Sequence, residues 1–247
     1  MEGSFVTPLE IIRQAQANTL IDEDGQVVTL ELLPGLSQAE LLDFARQVPC
    51  PVPPEIAELL GACRGFYGTI EQVDFSGIDL GFAFEAVFPF GLAIAADGWG
   101  NFWVVDLHPH SENWGPIYFA CHDAPVILYQ ADTVEEFLSE LFKMDKPPHE
   151  SLVDGVHEDR LARVWQTNPG VLSYEQCLQS DDPILEDFAR ELDESFQVVD
   201  LRQAEPGDGF SWGRYGPRTV VKRYGTHAVF AYKKPKSLIS RLFGDVG

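Results

Sequence analysis

Three histidines offer the chain's one candidate metal cluster: His108 and His110, spaced by one residue, and His122. On an extended segment, residues two apart point to the same face, so His108 and His110 can present their rings together, with Asp106 or Asp123 completing a set. No further ligand stands at a diagnostic spacing, so no metal and no cofactor is expected. Nucleophilic chemistry has less support, because the chain holds neither a Gly-x-Ser-x-Gly elbow nor a local protease-type cysteine signature. The adjacent acids Glu135-Glu136 and Asp181-Asp182 stand at or near predicted helix starts. There they complement the helix dipole, which accounts for them better than acid–base catalysis does. Residues 206–216 are rich in glycine and carry Trp212, Arg214 and Tyr215. They lack the Gly-Lys-Ser/Thr ending of a phosphate loop and do not lie between a strand and a helix. They read as a mobile loop. The alternative is a partner-binding loop, since Trp, Tyr and Arg are the residue types enriched at interface hot spots. No constellation demands an active site, and the chain is expected not to be an enzyme.

These residues are positioned by residues 91–107. Two apolar runs flank Asp97-Gly98-Trp99-Gly100-Asn101, a hairpin turn in which glycine supplies positive φ and Asp and Asn tolerate it. In the second run Trp103, Val105 and Leu107 share one face, and Phe102, Val104 and Asp106 share the other. Apolar residues on both faces predict a central strand covered on both sides. Packing does not require Trp99 at the tip. With Asp97, Asn101 and Trp114 it could form a shallow patch with an apolar centre and an acidic rim, suited to docking a protein. The competing reading is that both tryptophans plug the end of the core.

Around this hairpin the chain predicts α+β architecture. Thr7-Pro8-Leu9-Glu10 and Ser37-Gln38-Ala39-Glu40 start helices, the second with a capping box. Residues 27–32 read as a strand. A helix over 54–63 ends at Gly65, and a turn at 66–68 leads into a strand over 69–75. Strands over 116–121 and 125–129 lead to a helix carrying Val134, Phe137, Leu138 and Leu141. Residues 143–154, with Pro147-Pro148, read as a linker. Helices over 158–168 and 183–194, a strand over 196–201, a hairpin over 218–232 and a helix over 237–243 follow. The expectation is a domain over residues 1–145 with a mainly antiparallel sheet and flanking helices, and a smaller C-terminal α+β extension over 155–247.

The formal charge is −22. Residues 1–200 hold 36 acidic and 8 basic side chains, a net of −28, while residues 201–247 hold 3 and 9, a net of +6. An acidic body of this strength keeps a protein soluble, repels nucleic acid and anionic membranes, and attracts basic proteins. The basic end, with Lys222, Arg223, Lys233, Lys234, Lys236 and Arg241, could touch phosphates or could dock against the body. The −28 neighbour opposes the first. Cys50, Cys63, Cys121 and Cys177 are widely spread and predict reduced, buried thiols rather than a disulfide scaffold. No leader-like start and no run of about 18 apolar residues is present, so a cytoplasmic location is expected.

The order Leu59-Leu60-Gly61-Ala62-Cys63-Arg64-Gly65-Phe66-Tyr67-Gly68, an acidic strand, Ile94-Ala95-Ala96-Asp97-Gly98-Trp99-Gly100-Asn101-Phe102-Trp103-Val104-Val105-Asp106-Leu107, Trp114-Gly115-Pro116-Ile117-Tyr118-Phe119 and a short acidic helix resembles the SUKH superfamily. That group takes in fungal cell-wall-assembly regulators and many bacterial immunity proteins. The resemblance spans residues 37–142, and its motif is structural, not catalytic. What it implies is a SUKH-like fold and a protein-binding role. On the bacterial side the implied partner is a basic toxin, often a nuclease or deaminase. On the fungal side the implied role is that of an intracellular scaffold or regulator. The resemblance assigns no contact residue. The candidates remain Asp97, Trp99, Asn101, Trp114, Trp212, Arg214 and Tyr215, in a monomer or small homo-oligomer.

Overall fold

A computed structural model describes residues 6–111, 114–216 and 218–235. The helix starts lie where side chains can satisfy free backbone N–H groups. Thr7 and Ser37 form capping boxes with Glu10 and Glu40, opening α1 (Pro8–Ala17) and α2 (Gln38–Gln47). Between them β1 (Leu20–Ile21) pairs with β2 (Val27–Val28), and β3 (Glu31–Pro34) leaves that ribbon for the main sheet. The single strand expected over 27–32 is therefore two, each with its own partner.

α3 (Pro54–Ala62) runs directly into β4 (Cys63–Tyr67), where the sequence suggested a helix stop and a turn. Gly65 is small for a different reason. A Cβ there would sit 1.9 Å from the Val73 carbonyl oxygen of β5 (Gln72–Asp74), so glycine admits the neighbouring strand rather than ending the helix. β6 (Gly91–Ala96), β7 (Phe102–Asp106), β8 (Ile117–Cys121) and β9 (Val126–Ala131) follow as neighbours, then α4 (Val134–Leu141).

Ser151 caps α5 (Leu152–Gly155), which continues through a π-helical turn (Val156–Arg160) into α6 (Leu161–Thr167). The helix expected over 158–168 thus begins at 152, within the segment read as a linker. Next come β10 (Val171–Ser173), α7 (Tyr174–Leu178), α8 (Pro183–Arg190), β11 (Phe196–Asp200), β12 (Gly209–Phe210), β13 (Val221–Arg223) and β14 (Val229–Lys233). Asp182 caps α8 by accepting from the Ile184 N–H at 2.9 Å, which is its role in the Asp181-Asp182 pair. The helix predicted over 237–243, with Lys236 and Arg241, lies outside the described residues.

The strands form an eight-stranded sheet in the order β12-β9-β8-β7-β6-β5-β4-β3, a four-stranded sheet in the order β10-β11-β14-β13, and the β1–β2 ribbon. All pairings are antiparallel, giving the α+β class. β7 lies inside the large sheet and is covered on both faces, as its alternation requires. Trp103 and Val105 join α1, α3, α4 and the α5–α6 rod in one core. Val104 faces a second core with Tyr118, Ile127, Phe230 and Tyr232, which packs the two sheets together. A third core lies between the small sheet and α7–α8. The layers are therefore helices, large sheet, small sheet, helices.

Arg223 joins the two sheets. Its guanidinium meets Asp106 of β7 through two bonds of 2.8 and 2.6 Å, with the Arg and Asp side chains 3% and 1% exposed. Its remaining N–H groups reach the carbonyls of Val87, Thr226 and His227. All five donors are thus used. Of the two roles open to this basic residue, docking against the acidic body is the one its side chain fills. Burial disfavours the Asp106 carboxylate. The hydrogen bonds from His108 and Arg223 outweigh that and hold its pKa below the ordinary value.

Asp145 is buried without such support. It is 4% exposed, and its Oδ2 has no hydrogen-bond partner among the described residues. Burial, aided by the charge of Asp22, raises its pKa. A carboxyl with a raised folded pKa costs stability at neutral pH, and the cost fades as falling pH neutralises it. Asp145→Asn is therefore expected to gain about 1 kcal/mol at pH 7 by urea unfolding, with the gain shrinking toward pH 4.

Candidate functional site

The β6–β7 turn is built around Asp97. Its Oδ1 accepts from the backbone N–H groups of Trp99 at 2.8 Å and Asn101 at 3.1 Å, and its Oδ2 accepts from Asn101 Nδ2 at 2.6 Å. Gly98 and Gly100 take φ of +81° and +89°, a region open to glycine at little steric cost. Asn101 is 6% exposed, and its Oδ1 accepts from the His122 N–H at 3.0 Å, tying the turn to the β8–β9 connection. Asp97 and Asn101 therefore form the frame of the turn and not its contact surface. What they present is Trp99, 79% exposed.

Around Trp99 stand exposed acids and two histidines. Glu71 lies against Gly98, close enough that a Cβ there would sit 3.1 Å from its Cγ. Asp123 pairs with His122 at 3.1 Å. His157 comes from the π-helical turn; its ring meets Phe119 edge-on at 5.2 Å, and its Nε2 lies 3.6 Å from Asp97 Oδ2. His157 falls between the segment that reads as a linker, 143–154, and the helix expected from 158, so the sequence gives it no place in a site. Ser151 with Asp154, a capping signal, and the apolar Val153 and Val156 were the signs that the helix starts earlier.

Trp114 does not belong to this patch. The register pairs Phe102 with Ala120 and Val105 with Ile117, so Trp114, just before β8, lies at the opposite end of the sheet from Trp99. It is 4% exposed and packs on Phe44 with ring centroids 5.9 Å apart. Trp114 thus plugs the core, and Trp99 does not.

The same register separates the candidate metal ligands. His108 follows β7 at the Trp114 end, 3.4 Å from Asp106, whereas His122 follows β8 at the Trp99 end. A five-residue strand spans roughly 17 Å, too far for one ion. His108, His110 and His122 therefore do not form a cluster. Among the described residues no group of three or more His, Cys, Asp or Glu is placed to hold a metal. All four cysteines are buried and free.

Residues 206–216 are not a free loop. Gly209 and Phe210 extend the large sheet by pairing with Leu128 and Ile127, and the Gly213 N–H donates to the Pro125 carbonyl. Trp212 is half-buried, its ring 4.6 Å from that of Phe84. Arg214 donates to the Trp165 and Gln166 carbonyls at 2.7 and 2.8 Å, capping the end of α6. Tyr215, 42% exposed, is left at the surface. Phe102, Ala120, Ile127 and Phe210 form one row across four strands, so this segment shares an end of the sheet with Trp99, three strand spacings or roughly 14 Å away. Of the seven candidates, Trp99 and Tyr215 remain available to a partner as exposed aromatics, with Arg214 committed to α6.

No described helix is long and apolar enough to cross a membrane. No curated protein and no solved structure matches the chain significantly. Residues 35–140 match the model of the SMI1 / KNR4 family (SUKH-1). That segment begins just before α2, ends within α4 and contains the hairpin that presents Trp99. Motif order and family match coincide on the same stretch, and residues 35–140 belong to the SUKH superfamily.

Proposed function

We propose that this protein is an immunity-type binding protein that neutralises a basic toxin by covering it. Family membership fits a non-enzymatic immunity or regulatory module. The observation that carries the toxin-binding reading is Trp99, a large aromatic held 79% exposed by a turn whose polar groups are spent on fixing it. Exposing an indole forgoes the gain of burying it, and tryptophan is the residue type most often found to dominate an interface. The surroundings supply the complementary charge. A nuclease or deaminase acting on nucleic acid carries a basic cleft for phosphates, and a body with a net of −28 over residues 1–200 can occupy such a cleft in their place. The protein acts by occupancy, without catalysis of its own.

Affinity capture on the tagged full chain, with elution in rising salt, tests this. The expected result is a basic protein released between about 0.1 and 1 M salt, as the Debye length falls from about 10 to 3 Å. Retained proteins that are acidic, or whose release ignores salt, would overturn it.

A further inference from the structure

His122 stands beside the turn that presents Trp99. Its Nδ1 lies 3.1 Å from Asn101 Oδ1, and its Nε2 lies 3.1 Å from Asp123 Oδ1. The Asn101 amide is not free to offer its nitrogen instead. Its Nδ2 donates to Asp97 Oδ2 at 2.6 Å, and its Oδ1 already accepts the His122 backbone N–H at 3.0 Å. Both ring nitrogens therefore look onto oxygens that only accept. A neutral imidazole carries one N–H and one lone pair, so it suits one of these oxygens and turns a lone pair on the other. An imidazolium carries two N–H groups and suits both.

The neutral tautomer follows from burial. A lone pair on Nδ1 would press against the oxygen of Asn101, which is 6% exposed and fixed by its other bonds. The Asp123 side chain is 76% exposed and can turn to water. The single proton therefore belongs on Nδ1, and a second enters at Nε2, on a side chain 55% exposed. It makes the ring a charged donor, and charge-assisted hydrogen bonds are roughly twice as strong as neutral ones. The gain reaches Trp99 through two side chains. His122 Nδ1–H donates to Asn101 Oδ1, Asn101 Nδ2–H donates to Asp97 Oδ2, and Asp97 Oδ1 accepts from the Trp99 and Asn101 N–H groups.

We propose that His122 is a positioning residue for Trp99, and that proton uptake at its Nε2 tightens the hairpin tip as pH falls from about 8 to about 5.5, within the range where histidine changes charge. The charged and titratable groups at the tip come from four segments. Asp123 is on the same connection, Asp97 is in the turn, Glu71 lies against Gly98, and His157 places its Nε2 3.6 Å from Asp97 Oδ2. The Cys121 thiol is buried, and burial with the charges of Asp123 and Asp97 raises its pKa, so it stays neutral through this range. His157 is the rival for the same effect, since it too takes up a proton beside Asp97. The lock is a property of the free chain. Its value for binding rests on the reading of Trp99 as the contact.

The test is NMR and amide hydrogen exchange on the full chain without a partner, so it stands or falls separately from that reading. At pH 8 the 15N signals of the His122 ring should show the proton on Nδ1. Between pH 8 and pH 5.5 the protection factors of the Trp99 and Asn101 amides should rise about fivefold, the worth of one hydrogen bond, in step with the His122 ring signals. His122→Gln should abolish the rise, because glutamine can donate to Asn101 without titrating. Asp123→Asn should shrink it, and His157→Gln should leave it in place. A His122 with a merely structural role would, when replaced, lower protection equally at both pH values, and that result would overturn the proposal. So would a neutral ring protonated on Nε2, or a rise that survives His122→Gln and vanishes in His157→Gln. The replaced side chains are 55%, 76% and 39% exposed, so the variants are expected to fold.

Discussion

Arg223→Ala is expected to destabilise the protein by about 3–5 kcal/mol, lowering Tm by roughly 10 °C. The variant leaves the Asp106 carboxylate 1% exposed without its bidentate partner, and it strips donors from the carbonyls of Val87, Thr226 and His227. The desolvation of Asp106 is then uncompensated except by His108, 3.4 Å away. Replacing both partners with apolar residues, Asp106→Leu with Arg223→Met, should recover much of the loss, because breaking a buried pair costs more than deleting it.

The dependence on pH follows from the direction of the Asp106 shift. Its folded pKa is depressed, so its contribution is complete above the unfolded value near 3.9 and is lost as pH falls through the folded value. The gap in stability between wild type and Arg223→Ala should therefore narrow below about pH 4. Thermal and urea unfolding at pH 7 and pH 3 measure both effects. A loss under about 1 kcal/mol at pH 7 would mean that the pair does not hold the sheets together.

Trp99→Ala is expected to weaken binding to the partner at least about 30-fold, roughly 2 kcal/mol, while leaving stability within about 0.5 kcal/mol. A side chain 79% exposed contributes little to folding, so a binding loss here is separable from unfolding. The loss should reside in the dissociation rate, as for truncation of an apolar anchor. Neutralising Glu71 or Asp123 at the rim should instead lower the association rate and its salt dependence. Asp97→Ala should do something different again. It removes the acceptor for three N–H groups, so it lowers stability and weakens binding together by freeing the turn. A Trp99→Ala protein that binds as wild type would remove the hairpin tip from the interface.

Some of this was legible in the chain. The helix caps at Thr7 and Ser37 have their partners three residues on, so local spacing is enough to find both starts, and the structure adds that Thr7, like Ser37, closes a full capping box. The two-faced alternation of residues 102–107 placed β7 centrally, because the period of a strand is local and independent of its partner. The Asp97-Gly98-Trp99-Gly100-Asn101 turn was also visible, since it needs positive φ within five residues. β4 is hidden in the sequence because Gly65 reads locally as a helix stop, while its purpose is the approach of another strand. Residues 209–210 read as loop because two residues carry no period, and their partners lie about eighty positions earlier.

The α+β class, the strongly acidic body, the starts of the helices capped by Thr7, Ser37 and Thr133, and a tryptophan at a hairpin tip all follow from composition or from spacings of a few residues. Which distant residues meet depends on how the strands pair and the sheets stack. Register put His108 and His122 at opposite ends of the β7–β8 pair, buried Trp114 while exposing Trp99, and brought Arg223 onto Asp106 across 117 residues. The physical reason is that local sequence sets backbone conformation and the alternation of faces, while contacts between distant segments are fixed by strand register and by the packing of one sheet on another.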